Sequence, residues 1–167
     1  MSDSVSVTIR TAQKTDMPAV LSLIKELAEF EKEPDAVQLT ASDLERDGFG
    51  PNSQFKCFVA TSQDEITGMA LVYFRYSTWK GRTLHLEDLI VSQRYRGMGI
   101  GTALFRRVML YARETGVKRV NWVVLDWNEE AIAFYKKAGA TVMPHWWQVE
   151  MEQQGIDDYL NGADEGI

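Results

Sequence analysis

The sequence predicts an α/β fold of the α+β kind, in which a mixed, mostly antiparallel central sheet is flanked by helices. Three observations carry this. Apolar, β-prone runs at 55–61, 66–76 and 83–91 are separated only by short polar turns, the pattern of an antiparallel meander. Stretches at 16–30 and 102–115 repeat apolar residues with helical period. A glycine-rich stretch, Gln93-Arg94-Tyr95-Arg96-Gly97-Met98-Gly99-Ile100-Gly101-Thr102, joins the last of those strands to the second of those helices. A further strand-like run at 119–125 then completes a β-α-β unit. A chain of 167 residues has enough material for one packed core.

In order, Val5, Val7 and Ile9 alternate with polar residues, so 5–10 reads as the first strand. Thr15-Asp16 is an N-cap signal, Pro18 is tolerated in a first turn, and Met17, Val20, Leu21, Ile24, Leu27 and Ala28 mark a helix over about 16–30. Thr40-Ala41-Ser42-Asp43 resembles a capping box and opens a short second helix that stops at Gly48. The three meander strands follow. Phe105, Val108, Met109 and Ala112 give 102–115 one apolar face, closed by Gly116. The run 119–125 has few polar residues and reads as a strand buried on both faces. Asn128 caps a helix through Lys137, which Gly139 ends. Residues 141–143 and 147–151 read as two short final strands, and a helical turn is read at 157–160. The order is β-α-α-β-β-β-α-β-α-β-β, with 1–152 as one domain and 153–167 as an acidic C-terminal tail.

Composition narrows the function. No apolar run approaches the length that spans a bilayer, and Met1-Ser2-Asp3-Ser4-Val5 lacks the basic-then-apolar pattern of a secretory signal, so no membrane partner is read. The single cysteine, Cys57, excludes an internal disulfide framework and fits a reducing, cytoplasmic setting. Two histidines and one cysteine are too few for a zinc site, so no metal is expected. A net charge of −6 argues against nucleic acid and suits a cationic substrate.

The glycine stretch sits where backbone N–H groups and the positive end of a helix can cradle an anion. A dinucleotide fingerprint needs Gly-x-Gly-x-x-Gly after the first strand of its unit. Here the spacing is Gly-x-Gly-x-Gly, after the fourth strand. A Walker A loop needs a lysine before its Ser or Thr, and Gly101-Thr102 has none. Arg96, Gly99 and Gly101 instead satisfy Arg/Gln-x-x-Gly-x-Gly/Ala, and on that pattern the stretch resembles the acyl-CoA pyrophosphate loop of the GNAT superfamily of N-acetyltransferases. The resemblance spans about 5–147. Leu27-Ala28-Glu29-Phe30-Glu31-Lys32, Asp47-Gly48-Phe49-Gly50 and Leu86-Glu87-Asp88 resemble the diamine (spermidine/spermine) acetyltransferase branch. Tyr76-Ser77-Thr78-Trp79-Lys80-Gly81-Arg82 and Leu125-Asp126-Trp127-Asn128 are most similar to its thialysine N-epsilon-acetyltransferase member.

The resemblance implies a GNAT-type sheet with a cleft between the fourth and fifth strands, and acetyl-CoA as acetyl donor. It implies that N–H groups over Gly97, Met98, Gly99, Ile100, Gly101 and Thr102 hold the pyrophosphate, with Arg96 adding charge. It implies that the backbone of Leu89, Ile90 and Val91 pairs with the pantetheine arm and supplies an oxyanion donor. Asn128, Ala131 or Ile132, and Tyr135 share one helix face, and the resemblance puts the general acid at Tyr135. Glu87 is a carboxylate among apolar neighbours on a central strand, which is costly unless used or paired. Alternation sends Glu87 and Asp88 to opposite faces, and the resemblance favours Glu87, as a base acting through water and a counter-charge to the substrate ammonium. Phe30, Glu31 and Trp79 match positions at the amine-binding end. Ser77 stands where polyamine-acting relatives carry aspartate, and the segment after Gly139 is shorter and lacks their acidic residue. Both departures favour a shorter, thialysine- or lysine-like amine. Cys57 with His85 raises a nucleophilic thiol, but no base adjoins Cys57 in sequence, and it reads as a small core residue.

The sequence is thus read as an enzyme that transfers acetyl from acetyl-CoA to the primary amine of a small cationic substrate, by direct attack in a ternary complex. A polyamine acetyltransferase and a non-catalytic CoA-binding regulatory module are the alternatives. Relatives in this branch are homodimers, and Trp146-Trp147 suits an interface.

Overall fold

A computed structural model describes residues 6–163. Val5 and the last four residues of the acidic tail lie outside that range. The chain divides into two compact units, one ending at Leu125 and the other beginning at Asp126.

The first unit holds one five-stranded sheet in the order β1-β2-β3-β4-β5: β1 Thr8–Thr11, β2 Lys56–Ser62, β3 Glu65–Ser77, β4 Gly81–Val91 and β5 Val120–Asn121. The first three junctions are antiparallel and the last is parallel. Helices α1 (Met17–Phe30) and α2 (Ala41–Gly48) precede the meander, and α3 (Ile100–Glu114) links β4 to β5. The predicted meander and both predicted early helices are present. Thr40 accepts from the Asp43 N–H while the Asp43 carboxylate accepts from the Thr40 N–H, the reciprocal capping the sequence predicts for α2.

Strand alternation sorts the core. Cys57, Val59, Met69, Leu71 and Ile90 face α1 and α2, where they meet Met17, Val20, Leu23 and Leu44. Phe58 turns to the other side, its ring edge-on to Tyr111 of α3 at 5.5 Å. Each such side chain withdrawn from water contributes about 1.5–3 kcal/mol, so the pattern fixes which helix covers which face. Gly68 marks the tightest approach. A Cβ there would lie 2.8 Å from the Ile90 carbonyl oxygen and 3.1 Å from Leu104.

Two bulges interrupt the ladder. Between β2 and β3, Thr67 is passed over, and its buried hydroxyl donates to the Ala60 carbonyl at 3.2 Å. Between β3 and β4, Leu71 faces Asp88 and Val72 faces Leu86, which leaves Glu87 unmatched.

Three sequence expectations are corrected. The strand expected over 119–125, buried on both faces, pairs only at Leu84↔Val120 and His85↔Asn121, with Leu84 N–H donating to the Arg119 carbonyl. Beyond Asn121 the two strands part, so Val123 and Leu125 face solvent, and Trp122 packs edge-on to Phe105 at 5.6 Å. Second, α3 begins at Ile100 rather than Thr102, because Ile100 is drawn into the core beside a left-handed Gly99. Third, no ladder forms at 141–143 or 147–151 among the described residues. The alternation of Trp147, Val149 and Met151 suits a strand, but a strand requires a partner edge, and these side chains are exposed.

The second unit contains α4 (Glu129–Lys137) and α5 (Gln153–Ala163). Asn128 caps α4, and Gly139 (φ +94°) follows its end. The single helical turn read in the tail is the middle of α5. No helix among the described residues is long and apolar enough to cross a membrane.

Candidate active site

The glycine stretch leaves β4 through a short 3-10 turn, Gln93–Tyr95. The Gln93 N–H donates to Glu26 of α1 at 2.7 Å, and Arg94 and the Tyr95 hydroxyl both reach Glu65 at the start of β3, at 2.9 and 2.7 Å. These contacts fix the turn against two elements. Gly97 and Gly99 both have φ +78°, a conformation L residues avoid, and a Cβ at either would meet nothing within 4 Å. Gly99 is the N-cap of α3, and no side chain caps it. The first helical bond runs from Ala103 N–H to the Gly99 carbonyl, so the N–H groups of Ile100, Gly101 and Thr102 precede it. Open space, left-handed glycines and a helix start without acidic side chains make a nest for an anion. The residues fit a pyrophosphate. Arg96 is turned partly away. Its Nε–H donates to the Val91 carbonyl at 3.1 Å, and its guanidinium lies over the Phe30 ring.

Upstream on β4, the parting of β4 and β5 leaves the Leu86-to-Val91 backbone without a β5 partner. Leu89, Ile90 and Val91 lie there, on the rim that the resemblance requires to be open. At the bulge, Oε2 of Glu87 accepts from the Tyr73 hydroxyl at 2.9 Å and lies 3.4 Å from Nε2 of His85. About half the Glu87 side chain is exposed, so an incoming ligand can reach it. Contacts from His85 and Tyr73 hold its carboxyl below the usual glutamate range. Asp88 behaves oppositely. Burial, then the charges of Glu87 and Glu31, push it up to about 6. The bulge overturns the simple alternation. Asp88 pairs with Leu71 and His85 with Tyr73, and Leu71 and Tyr73 are two residues apart on β3, so Glu87 and Asp88 share one face.

Glu31 caps the C-terminal end of α1, its N–H donating to the Leu27 carbonyl at 2.9 Å. Shielding by neighbours pushes its carboxyl up. Glu31, Glu87 and Asp88 together with the negative end of α1 form an acidic zone that suits a cation. Trp79 is not brought to it. The ring sits exposed on the β3–β4 turn, before β4 begins. The Ser77 hydroxyl accepts from the Trp79 and Lys80 N–H groups at 3.2 and 3.3 Å and is committed to shaping that turn.

In the second unit, Asn128 Oδ1 accepts from the Ala131 N–H at 3.2 Å, leaving its amide nitrogen as a donor. Tyr135 lies one turn beyond Ala131, half-buried, its ring 5.3 Å from that of Phe134. Burial pushes its phenol up, so it carries its proton at neutral pH. Cys57 is a core residue whose thiol burial pushes up to about 12, which removes the nucleophilic-thiol reading.

Sequence reasoning missed Tyr73, Arg75, His85, Asp88 and Asn121 as parts of this site. One signal was available, since His85 and Glu87 are two apart on a strand and share a face. The bulge that adds Asp88 leaves no mark in the periodicity.

A strand that parts from its neighbour, followed by a glycine nest on a helix and carrying carboxylates, is the arrangement that the resemblance to N-acetyltransferases implies. The acetyltransferase (GNAT) family model matches residues 18–140. The chain is 41% identical over 143 residues to a thialysine N-epsilon-acetyltransferase of Sus scrofa, covering 81% of this chain and 84% of that protein. It is 42% identical over 139 residues to a human spermidine/spermine N(1)-acetyltransferase-like protein 1, covering 79% of this chain but only 20% of that longer protein. Among solved structures, an integron cassette protein of V. cholerae shares the fold with a TM-score of 0.76 at 24% identity, over 93% of this chain and 98% of that one. The chain belongs to the GNAT acetyltransferase family and is an N-acetyltransferase. Members of that family use acetyl-CoA as acetyl donor.

Proposed function

We propose that this enzyme acetylates the primary amine of a small, lysine-like cation, with thialysine as the model substrate. The observation that carries the reading is the half-exposed Glu87 carboxylate beside Asp88, on the strand that leads directly into the glycine nest. Two sequence-similar relatives are named for thialysine and for spermidine/spermine. The Ser77 hydroxyl, engaged by the Trp79 and Lys80 N–H groups, offers no negative charge at the β3–β4 turn, which favours the shorter amine. The acidic zone of Glu31, Glu87 and Asp88 favours a multiply charged one, so polyamines are the second reading.

In the proposed mechanism, Gly97, Met98, Gly99, Ile100, Gly101 and Thr102 bind the pyrophosphate, with Arg96 bracing the turn. Leu89, Ile90 and Val91 offer backbone groups to the pantetheine arm, and one N–H there steadies developing oxyanion charge. Acetyl-CoA supplies the acetyl group as a thioester. Phe30 and Glu31 belong to the amine end, whereas Trp79, the third residue expected there, stands apart on the β3–β4 turn. Glu87 attracts the ammonium and, through water, accepts the proton an amine of pKa near 10 must lose before attack. Burial, then the neighbouring Glu87 charge, push the Asp88 carboxyl up. Tyr135, protonated by virtue of its burial, donates to the leaving thiolate, and Asn128 and Ala131 line the same helix. Residues 1–152 act as one acetyltransferase domain, the family match running across both units. The single buried cysteine suits a cytoplasmic protein, and exposed Trp146, Trp147 and Val149 suit a homodimer contact.

The test is thiol release from acetyl-CoA with thialysine, lysine, putrescine and spermidine. Thialysine should give the highest kcat/KM. A preference for spermidine would replace the first reading with the second, and release independent of every amine would favour a CoA-binding module.

A further inference from the structure

We infer that His85 is a positioning residue for Glu87: Arg75 and Asn121 hold its Nδ1 as an acceptor, so the ring presents a neutral Nε2–H to the carboxylate. The inference rests on the reading of Glu87 as the carboxylate that handles the amine. His85 is buried, 7% exposed, at the last position where β4 and β5 still pair. Its Nδ1 lies 3.2 Å from Arg75 Nη1 and 2.9 Å from Asn121 Nδ2. A guanidinium only donates, so Nδ1 must carry the lone pair, and Asn121 adds a second donor. The ring proton then sits on Nε2, 3.4 Å from Glu87 Oε2, the oxygen that also accepts from Tyr73. The imidazole is held in place by the Tyr73 ring at 5.0 Å.

The groups around this contact are Tyr73 and Arg75 from β3, Glu87 and Asp88 from β4 and Asn121 from β5, with Glu31 acting on Asp88. With Arg75 and Asn121 both donating to Nδ1, the proton of the neutral ring lies on Nε2, facing Glu87. This has a chemical use. A lysine or arginine against Glu87 would neutralise the charge that attracts the substrate ammonium. A neutral N–H donor orients the carboxylate and leaves its charge intact.

Two measurements test this. The chain has two histidines, so nitrogen-15 NMR of the full-length protein, with His145→Gln for assignment, reads the tautomer directly. An unprotonated Nδ1 and a protonated Nε2 at neutral pH are expected; an Nδ1–H tautomer or an imidazolium overturns the inference. The second is the pH dependence of amine kcat/KM. His85→Leu removes the donor and should move the acidic limb up by about one pH unit. His85→Gln keeps both a donor and an acceptor and should restore the wild-type limb. A superimposable His85→Leu profile, or a His85→Gln profile displaced as far, overturns the role. Should His85→Leu not fold, the NMR result and His85→Gln decide. An unchanged profile for Glu87→Gln would instead overturn the assignment of Glu87, whatever the tautomer.

Discussion

The guanidinium carbon of Arg96 lies 5.4 Å from the centroid of the Phe30 ring, while its Nε–H donates to the Val91 carbonyl at 3.1 Å. One side chain therefore ties the glycine nest to the end of β4 and the end of α1, the donor and amine ends of the proposed site. Arg96→Ala should weaken acetyl-CoA binding and also raise the amine KM. A double-mutant cycle with Phe30→Leu, read by calorimetry and steady-state kinetics, should give a coupling of about 0.5–1 kcal/mol. Strictly additive losses would mean that the contact carries no energy.

Tyr135 keeps its phenol proton because burial disfavours the phenolate. Tyr135→Phe retains the ring and its packing on Phe134. Turnover should fall by about 10²-fold, within the usual range for a lost acid, with acetyl-CoA affinity little changed. Equal turnover would remove Tyr135 from the chemistry.

The Glu87–Asp88 pair makes a signed prediction for pH. Burial, and after it the repulsion of the Glu87 charge, push Asp88 up to about 6. Glu87→Gln removes that repulsion, so the Asp88 transition should move toward more acidic pH while kcat falls by about 10²–10⁴-fold. Carboxylate titration followed by infrared or NMR reads the first effect independently of the second.

Two glycines should fail differently. Gly68→Ala drives a Cβ into the Ile90 carbonyl and should cost about 1–3 kcal/mol of stability, seen in thermal unfolding. Gly99→Ala meets no atom but must hold a left-handed backbone, at a cost of about 1 kcal/mol. Its larger effect should be on acetyl-CoA affinity, since the same backbone orients the nest.

Asp16 accepts from Arg10 at 2.6 and 3.0 Å and from the Gln13 N–H at 2.6 Å. The Arg10 contact holds its carboxyl below the usual range despite burial. A depressed folded pKa stabilises the protein above the unfolded value of about 3.9 and is lost as pH falls through the folded value. Asp16→Asn should therefore cost about 1.5–3 kcal/mol at neutral pH. It should also flatten the acid side of the stability–pH curve, measured by urea unfolding.

Much of this was legible in the sequence because local chemistry specified it. Thr40 and Asp43 predict their own cap, and the meander follows from apolar runs divided by short turns. The nest was legible for the same reason, as Gly97 and Gly99 occupy backbone that other residues avoid. What was not legible depends on partners. Residues 119–125 look like a buried strand, yet pairing ends at Asn121 because β4 diverges, and divergence is a relation between two segments. The same holds for 147–151, where alternation identifies a strand-like surface but supplies no neighbour. The environment of Glu87 was half-visible: its strand and apolar flanks could be read, but its partners come from Tyr73, fourteen residues away, and from a histidine ordered by Asn121.

The unmatched residue at position 87 also works as a phase shift. Before it, Leu84 and Leu86 point toward the α3 side; after it, Leu89 opposite Ala70 and Val91 opposite Gly68 take that side, and Ile90 joins the core beneath α1. Even-numbered positions thus trade places with odd ones midway along a single strand. Replacing Glu87 with another amino acid alters one side chain. Deleting it would invert the facing of the strand on one side of the gap, exchanging Asp88 with Leu89 and turning the Leu89-to-Val91 amides the other way. Position 87 therefore sets the reading frame of the cleft as well as contributing a charge to it, and a one-residue deletion there should be far more damaging than any substitution.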